Sequence, residues 1–134
     1  MSAPAADAKP QNDLIIRSAR NGVTTLTMNL PKRLNGWTMP MMEALKAALA
    51  RAEQDEASRV VVLTGADPYY CAGVNLSATI QLGHPRDLHA AIVEHNAALF
   101  ESFLGFTKPI LVAANGPGIG ASVTSATLCD GIIA

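Results

Sequence analysis

The sequence is poor in several features that are typical of particular classes of protein. It contains two cysteines and 4% aromatic residues, and Cys71 and Cys129 lack the number and spacing of a disulfide scaffold or a metal site. The three histidines have no metal-like partners: His84, His89 and His95. With a net charge of −1 and no basic run interleaved with aromatics, we expect neither nucleic acid nor an anionic membrane as a partner, and no metal.

Long apolar runs are also missing, because none approaches the ~20 residues that span a bilayer. The 49% hydrophobic and 16% charged fractions indicate one core-rich globular domain. Residues 1–13 are small, polar and proline-containing without the apolar core of a signal peptide, so we expect a disordered leader of an intracellular protein. The chain stops within the apolar run 132–134, so we expect residues 14–134 to be the leading part of a longer domain.

Hydrophobic periodicity predicts alternating strands and helices. Asn21-Gly22 matches the type I′ turn of a hairpin, and Thr38 is a helix N-cap candidate. The β-branched run at 59–64 is typical of a central strand that is covered on both faces. The predicted strands are 14–19, 23–30, 59–64, 110–114 and a new one from 132; the predicted helices are 39–55, 86–104 and 121–128, with a loop at 66–83. This order indicates an α/β fold.

Two loops of small residues contain the candidate functional groups. The first, Tyr70–Leu76, and the second, Asn115–Ser122, each follow an apolar strand, and neither contains an obvious general base. Both can present backbone N–H groups that no bulky side chain shields. Two such groups aimed at one point form an oxyanion hole, which stabilises negative charge on a carbonyl oxygen. Val74, after Gly73, and Ala121, at the predicted helix start, are the candidate donors.

Four motifs in order resemble the crotonase, or enoyl-CoA hydratase/isomerase, superfamily from about residue 14 to the end of the chain. They are the hairpin with its Pro31–Gly36 turn, the strand Val-Val-Val-Leu-Thr-Gly, the loop Cys71–Leu76, and the segment from Lys108-Pro109-Ile110 through Asn115-Gly116-Pro117 to Cys129-Asp130. The resemblance implies a crotonase-like ββα spiral, of which this chain is the N-terminal portion.

The resemblance also implies site residues and partners. By match, the N–H groups of Val74 and Ala121 hold the enolate oxygen of an acyl-CoA thioester. The residues expected to bind the coenzyme A portion are Cys71, Ala72, Gly73, Asn75 and Leu76. Coenzyme A is part of the substrate, so no separate cofactor is implied. Relatives form trimers or paired trimers, and the implied compartment is the cytoplasm in bacteria and the peroxisome or mitochondrial matrix in eukaryotes.

Departures from the family pattern favour isomerisation over hydration. Family hydratases carry a glutamate where this chain has Thr124, and threonine cannot act as a general base near neutral pH. The second loop is similar to the Δ3,Δ2-enoyl-CoA isomerase branch typical of peroxisomes, whose single catalytic glutamate would lie beyond residue 134. That branch usually has asparagine and aspartate where this chain has Val74 and Asn75.

Two other interpretations stay open from the sequence. A catalytically inactive acyl-CoA-binding or interaction module on the same fold is compatible with Thr124. The string Gly116-x-Gly118-x-x-Ala121 after a strand also matches the dinucleotide-binding fingerprint, although an acidic residue about twenty positions on would lie past the end of the chain.

Overall fold

A computed structural model describes residues 13–79 and 82–134 of the chain, so all of the predicted leader except Asp13 lies outside the described residues. The strands are β1 (Ile15–Arg20), β2 (Val23–Met28), β3 (Val60–Gly65), β4 (Ile110–Ala113) and β5 (Gly131–Ile133). The helices are α1 (Met39–Gln54), α2 (Leu76–Thr79), α3 (Pro85–Leu104) and α4 (Ala121–Thr127), with a 3-10 turn at Pro31–Arg33. The segment predicted as a loop at 66–83 therefore contains a one-turn helix.

The strands form one sheet in sequence order, β1-β2-β3-β4-β5. β1 and β2 pair antiparallel across Asn21 and Gly22, whose φ values of 52° and 82° are the positive values that a type I′ turn requires. The other neighbouring pairs are parallel, with Leu26 opposite Leu63 and Leu63 opposite Val112. Helical crossovers connect the parallel strands, which confirms the predicted α/β class.

The core lies between α1 and one face of the sheet. α1 contacts β1, β2 and α3. The apolar side chains that recur at helical spacing along this helix form a buried stripe: Met41, Met42, Leu45, Ala48, Leu49 and Ala52. Thr38 is the N-cap as predicted, since its side chain accepts a hydrogen bond from the Met41 N–H at 3.3 Å. Cap and stripe together fix where α1 begins and how it is rotated against the sheet.

The prediction that β3 is covered on both faces is wrong for the described residues. Val61, Leu63 and Gly65 are buried, whereas Val60, Val62 and Thr64 are half-buried. The buried set shares a face with Leu26 of β2 and Val112 of β4, both fully buried. A continuous β-branched run marks a strong strand, but it does not report how much protein covers each face.

The apolar face of the second long helix is buried only in part. α3 buries Leu99 and Phe103, but Leu88 is half-buried and Ile92 is 41% exposed. Helical spacing aligns all four side chains on one face, yet only the last turns of α3 pack against the core. The remaining length of the helix extends beyond that contact.

The Lys108-Pro109 motif has a structural role in joining β4 to α1. Lys108 Nζ donates hydrogen bonds to the carbonyl oxygens of Ala52 (2.7 Å) and Asp55 (2.8 Å) at the end of α1. A cation at a helix C-terminus satisfies carbonyls that have no partner within the helix. The neighbouring Thr107 hydrogen-bonds to Glu53. These contacts set the start of β4, and therefore the loop that follows it.

Candidate active site

The two predicted loops lie side by side, because they follow the adjacent parallel strands β3 and β4. The Cys71 N–H donates to the Pro117 carbonyl at 3.3 Å, and the Ile119 N–H donates to the Cys71 carbonyl at 3.0 Å. This pattern is a short parallel β-bridge between Cys71 and Gly118. The fold thus brings together two chain segments that are far apart in the sequence.

Gly73 sets the closest approach of the loops. Its φ is +78°, and a Cβ added to it would lie 2.4 Å from the Ile119 carbonyl oxygen and 3.7 Å from the Ala121 nitrogen. A Cβ this close to backbone oxygen is sterically forbidden, and positive φ is costly for other residues. Glycine at this position therefore lets the residue before Val74 lie directly against the start of α4.

The direction of the Val74 N–H follows from its neighbours. The Gly73 carbonyl accepts a hydrogen bond from the Trp37 N–H at 2.8 Å, and the Asn75 N–H donates to the Trp37 carbonyl at 2.9 Å. In a trans peptide the C=O and the following N–H point in opposite directions. The Val74 N–H therefore points away from Trp37, which is fully buried.

Both candidate donors are available for a ligand. Across residues 13–79 and 82–134, no hydrogen bond is donated by the N–H of Val74 or of Ala121. Both residues are half-buried, so their amides are neither deep in the core nor on an open surface. A partly desolvated N–H without an internal acceptor is suited to an anionic oxygen.

The other predicted ligand-contacting residues differ in their exposure. Ala72 and Asn75 are half-buried, and Leu76 is 65% exposed at the start of α2. The Asn75 side chain accepts a hydrogen bond from the Ser77 hydroxyl at 2.8 Å. Cys71 is fully buried, and its thiol donates to the Asn35 carbonyl at 3.1 Å while accepting from the Gly73 N–H at 3.3 Å. Its thiol thus serves contacts inside the protein.

The two loops carry no side chain that is charged near neutral pH. Burial raises the pKa of Cys71 to about 11, and burial raises that of Cys129 to about 11 as well. Burial also raises the pKa of Tyr70 above its ordinary value. Neither loop sequence contains a carboxylate or an imidazole, and Thr124 is exposed. The geometry can stabilise an oxyanion, but the loops supply no general base.

Two asparagines hold the segment that leads into the first loop, a role that the sequence did not reveal. Asn35 is fully buried; its side chain accepts from the Leu30 N–H (2.9 Å) and donates to the carbonyls of Ala66 (2.7 Å) and Tyr69 (2.8 Å). Its own φ of 53° suits asparagine better than most residues. An asparagine inside a polar turn was the available signal, but its partners are set by tertiary structure.

Asn115, which follows the neighbouring strand β4, reaches the same segment. Its side-chain oxygen accepts from the Gly65 N–H at 3.0 Å, and its amide donates to Asp67 at 3.2 Å and to the Tyr69 carbonyl at 3.4 Å. The Tyr69 carbonyl therefore accepts from both asparagines. Together they fix the segment that leads into Cys71.

Comparison with known proteins identifies the family of the chain. The family model described as enoyl-CoA hydratase/isomerase matches residues 18–134. The chain belongs to the enoyl-CoA hydratase/isomerase family. Membership confirms the predicted superfamily and accounts for the second glycine loop without the dinucleotide-binding interpretation.

Relatives in this family carry different activities in their names. The chain is 33% identical to 1,2-epoxyphenylacetyl-CoA isomerase of Escherichia coli over 124 residues, which are 91% of this chain and 47% of that protein. It is 31% identical to human enoyl-CoA delta isomerase 2, over 98% of this chain and 34% of that protein. The chain thus spans half or less of the length of these relatives.

Solved structures of family members share the fold. An enoyl-CoA hydratase from Bacillus anthracis superposes with a TM-score of 0.78 at 25% identity, covering 89% of this chain and 46% of that one. An enoyl-CoA hydratase/isomerase from Pseudoalteromonas atlantica superposes with a TM-score of 0.74 at 29% identity, covering 89% of this chain and 45% of that one.

Among the helices of residues 13–79 and 82–134, none combines the length and the hydrophobicity of a membrane-spanning segment.

Proposed function

We propose that this protein acts on acyl-CoA thioesters and that the N–H groups of Val74 and Ala121 jointly bind the thioester oxygen. The observation that carries the proposal is the close approach of Gly73 to the second loop, where an added Cβ would lie 3.7 Å from the Ala121 nitrogen. Val74 and Ala121 are half-buried, and their N–H groups donate no hydrogen bond among the described residues. Family membership supports acyl-CoA as the substrate class. The protein would take coenzyme A as part of its substrate, with no further cofactor, and would assemble as a homo-oligomer.

The proposed chemistry begins with the thioester oxygen. When a base removes a proton from the α-carbon, negative charge moves onto that oxygen, and each amide strengthens its hydrogen bond as the charge develops. Loss of one such donor typically raises a barrier by about 3–4 kcal/mol. The amides thus lower the cost of forming the enolate without themselves exchanging a proton.

Isomerisation is the preferred reaction in this proposal. Moving a double bond between two positions needs one acid–base group, which takes the α-proton and returns a proton to the γ-carbon. Addition of water needs groups that also orient the water. The α4 position occupied by a glutamate in family hydratases is Thr124, which is exposed and has no acidic proton near neutral pH. The single base would come from outside the two loops.

Infrared spectroscopy tests the oxyanion proposal directly. Butyryl-CoA labelled with ¹³C at its carbonyl should show a lower C=O stretching frequency when bound, because two hydrogen bonds polarise the bond. Ala121→Pro removes one N–H at the first position of α4, where proline fits a helix, and should lose much of the shift. Ala121→Gly keeps the N–H and serves as control. An unshifted carbonyl in the unmodified protein would refute the oxyanion proposal.

Two substrates separate the proposed reactions. The intact protein is given 3-hexenoyl-CoA or 2-hexenoyl-CoA, and products are resolved by liquid chromatography. Conversion of the 3-enoyl to the 2-enoyl thioester without 3-hydroxyacyl product supports an isomerase. Formation of 3-hydroxyacyl-CoA identifies a hydratase instead. A shifted carbonyl with neither product identifies the inactive acyl-CoA-binding module, for which the absence of a base in either loop is the supporting observation.

A further inference from the structure

One hydroxyl forms a side-chain connection between the two loops. Ser122 is fully buried, and its Oγ lies 3.0 Å from the Cys71 carbonyl oxygen and 2.9 Å from the Ile119 carbonyl oxygen. The same Oγ accepts a hydrogen bond from the Ile119 N–H at 3.0 Å. A hydroxyl has one proton and two acceptor lone pairs, so the proton is shared between one carbonyl of each loop.

The position of Ser122 links both proposed donors. Ser122 directly follows Ala121 in the second loop. Its partner Cys71 lies in the first loop, two residues before Gly73 and three before Val74. A change in the distance between the Ser122 hydroxyl and the Cys71 carbonyl therefore changes the distance between the loops that carry the two amides. Oxyanion stabilisation depends steeply on such distances, because hydrogen bonds weaken quickly beyond about 3.2 Å.

We propose that Ser122 is a positioning residue that sets the spacing between the N–H groups of Val74 and Ala121. This inference rests on the proposed oxyanion function of those amides. Ser122 does not touch the thioester. Its hydroxyl stabilises the arrangement of the two loops, so its loss allows the exposed second loop to move away from the buried first loop. The expected consequence is weaker hydrogen bonding to the thioester oxygen rather than weaker binding of coenzyme A.

Ser125 provides a matched control on the same helix. It is also fully buried, and its hydroxyl donates at 2.9 Å to the Ser122 carbonyl, one turn back along α4. Among the described residues, its hydroxyl donates no hydrogen bond to the first loop. Ser122→Ala and Ser125→Ala each remove one buried hydroxyl from α4, but only the first removes a connection between loops.

The test compares the ¹³C=O stretch of bound butyryl-CoA in the unmodified protein, Ser122→Ala and Ser125→Ala, with circular dichroism to check folding. We expect Ser122→Ala to lose most of the frequency shift and Ser125→Ala to keep it. Affinity for coenzyme A without an acyl group should be unchanged in both. If Ser122→Ala does not fold, Ser122→Cys replaces it and should lose part of the shift, since a thiol is a weaker donor; Ser125→Cys is then the control.

The outcomes distinguish the two proposals. A full shift in the unmodified protein and in a folded Ser122 variant overturns the role of Ser122 and leaves the oxyanion function standing. Equal loss of the shift in the Ser122 and Ser125 variants also overturns it, because the effect would then be a general loosening of α4. No shift in the unmodified protein overturns the oxyanion function, and the positioning role with it.

Discussion

The two loops of the site are held in different ways. The first is mostly buried: Tyr70, Cys71 and Gly73 have little or no exposure, and its backbone pairs with Trp37 on one side and with Pro117 on the other. In the second loop, residues 117–120 are all exposed. The second loop lies over the first and depends on a few contacts with it.

We expect substitutions in the two loops to have different effects, on stability in one and on function in the other. A buried segment with many partners can be disturbed only by unfolding part of the core, so substitutions there should lower the free energy of unfolding. An exposed segment can move by a few tenths of an ångström at little cost, yet such a movement alters hydrogen bonds to a bound oxygen. We therefore expect first-loop variants to lose stability and second-loop variants to lose ligand polarisation.

Gly73→Ala should have the largest effect on stability. The added Cβ would lie 2.4 Å from the Ile119 carbonyl oxygen, and φ is +78°. Strain and overpacking together should lower the free energy of unfolding by about 4 kcal/mol, measured by urea denaturation. Gly83→Ala is the control, because no atom lies within 4 Å of its added Cβ and its φ is not positive. Equal stability of the two variants would show that the loops do not meet at Gly73.

Asn35→Ala should have the next largest effect. It leaves the Leu30 N–H and the carbonyls of Ala66 and Tyr69 without their side-chain partner. Buried groups left unpaired should lower the free energy of unfolding by about 2–3 kcal/mol. Asn29→Ala, which removes a single exposed bond to the Asp13 carbonyl at 3.2 Å, should be near neutral. An unchanged free energy of unfolding in Asn35→Ala would contradict the role of Asn35 in holding the segment that leads into the first loop.

Asn115→Ala should cost less, although its side chain also makes several hydrogen bonds. Asn115 is exposed, so water can take its place at Asp67 and Tyr69, and only the N–H of the buried Gly65 loses its acceptor. We expect a loss of about 1 kcal/mol in the same denaturation experiment. A loss as large as that of Asn35→Ala would remove the distinction between a buried and an exposed attachment.

Near neutral pH Cys71 contributes no pH dependence, so its effect should be seen only at alkaline pH. Burial raises the pKa of Cys71 in the folded protein to about 11 from its ordinary 9.0. The unfolded thiol loses its proton first as pH rises, so this group's contribution is fully present below about pH 9 and is lost as pH rises towards about 11. Cys71→Ala should show a shallower decline of unfolding free energy over this interval. An unchanged decline would show that Cys71 does not titrate in this way.

Much of the fold was predictable because it rests on local patterns. The Asn21-Gly22 turn, the Thr38 cap and the buried stripe of α1 follow from periodicity and backbone preference. The same patterns could not predict how much protein covers each face of β3, or how much of α3 is exposed to solvent. Both depend on which other elements lie nearby, and the hydrophobic spacing within one element does not identify the elements that pack against it.

The candidate site shows the same limit. Glycine spacing identified the two loops, and resemblance to a family assigned Val74 and Ala121 within them. The contacts that hold those loops in place involve Asn35, Asn115 and Ser122, which have partners far away in the sequence. A polar side chain can be recognised in a sequence, but whether it faces solvent or a distant carbonyl is decided by tertiary structure.

The most direct measurement is a crystal structure of the protein with bound butyryl-CoA. We expect the thioester oxygen within hydrogen-bond distance, about 3 Å, of both the Val74 and the Ala121 nitrogen atoms. A bound thioester whose oxygen contacts neither nitrogen, or only one of them, would contradict the shared oxyanion site.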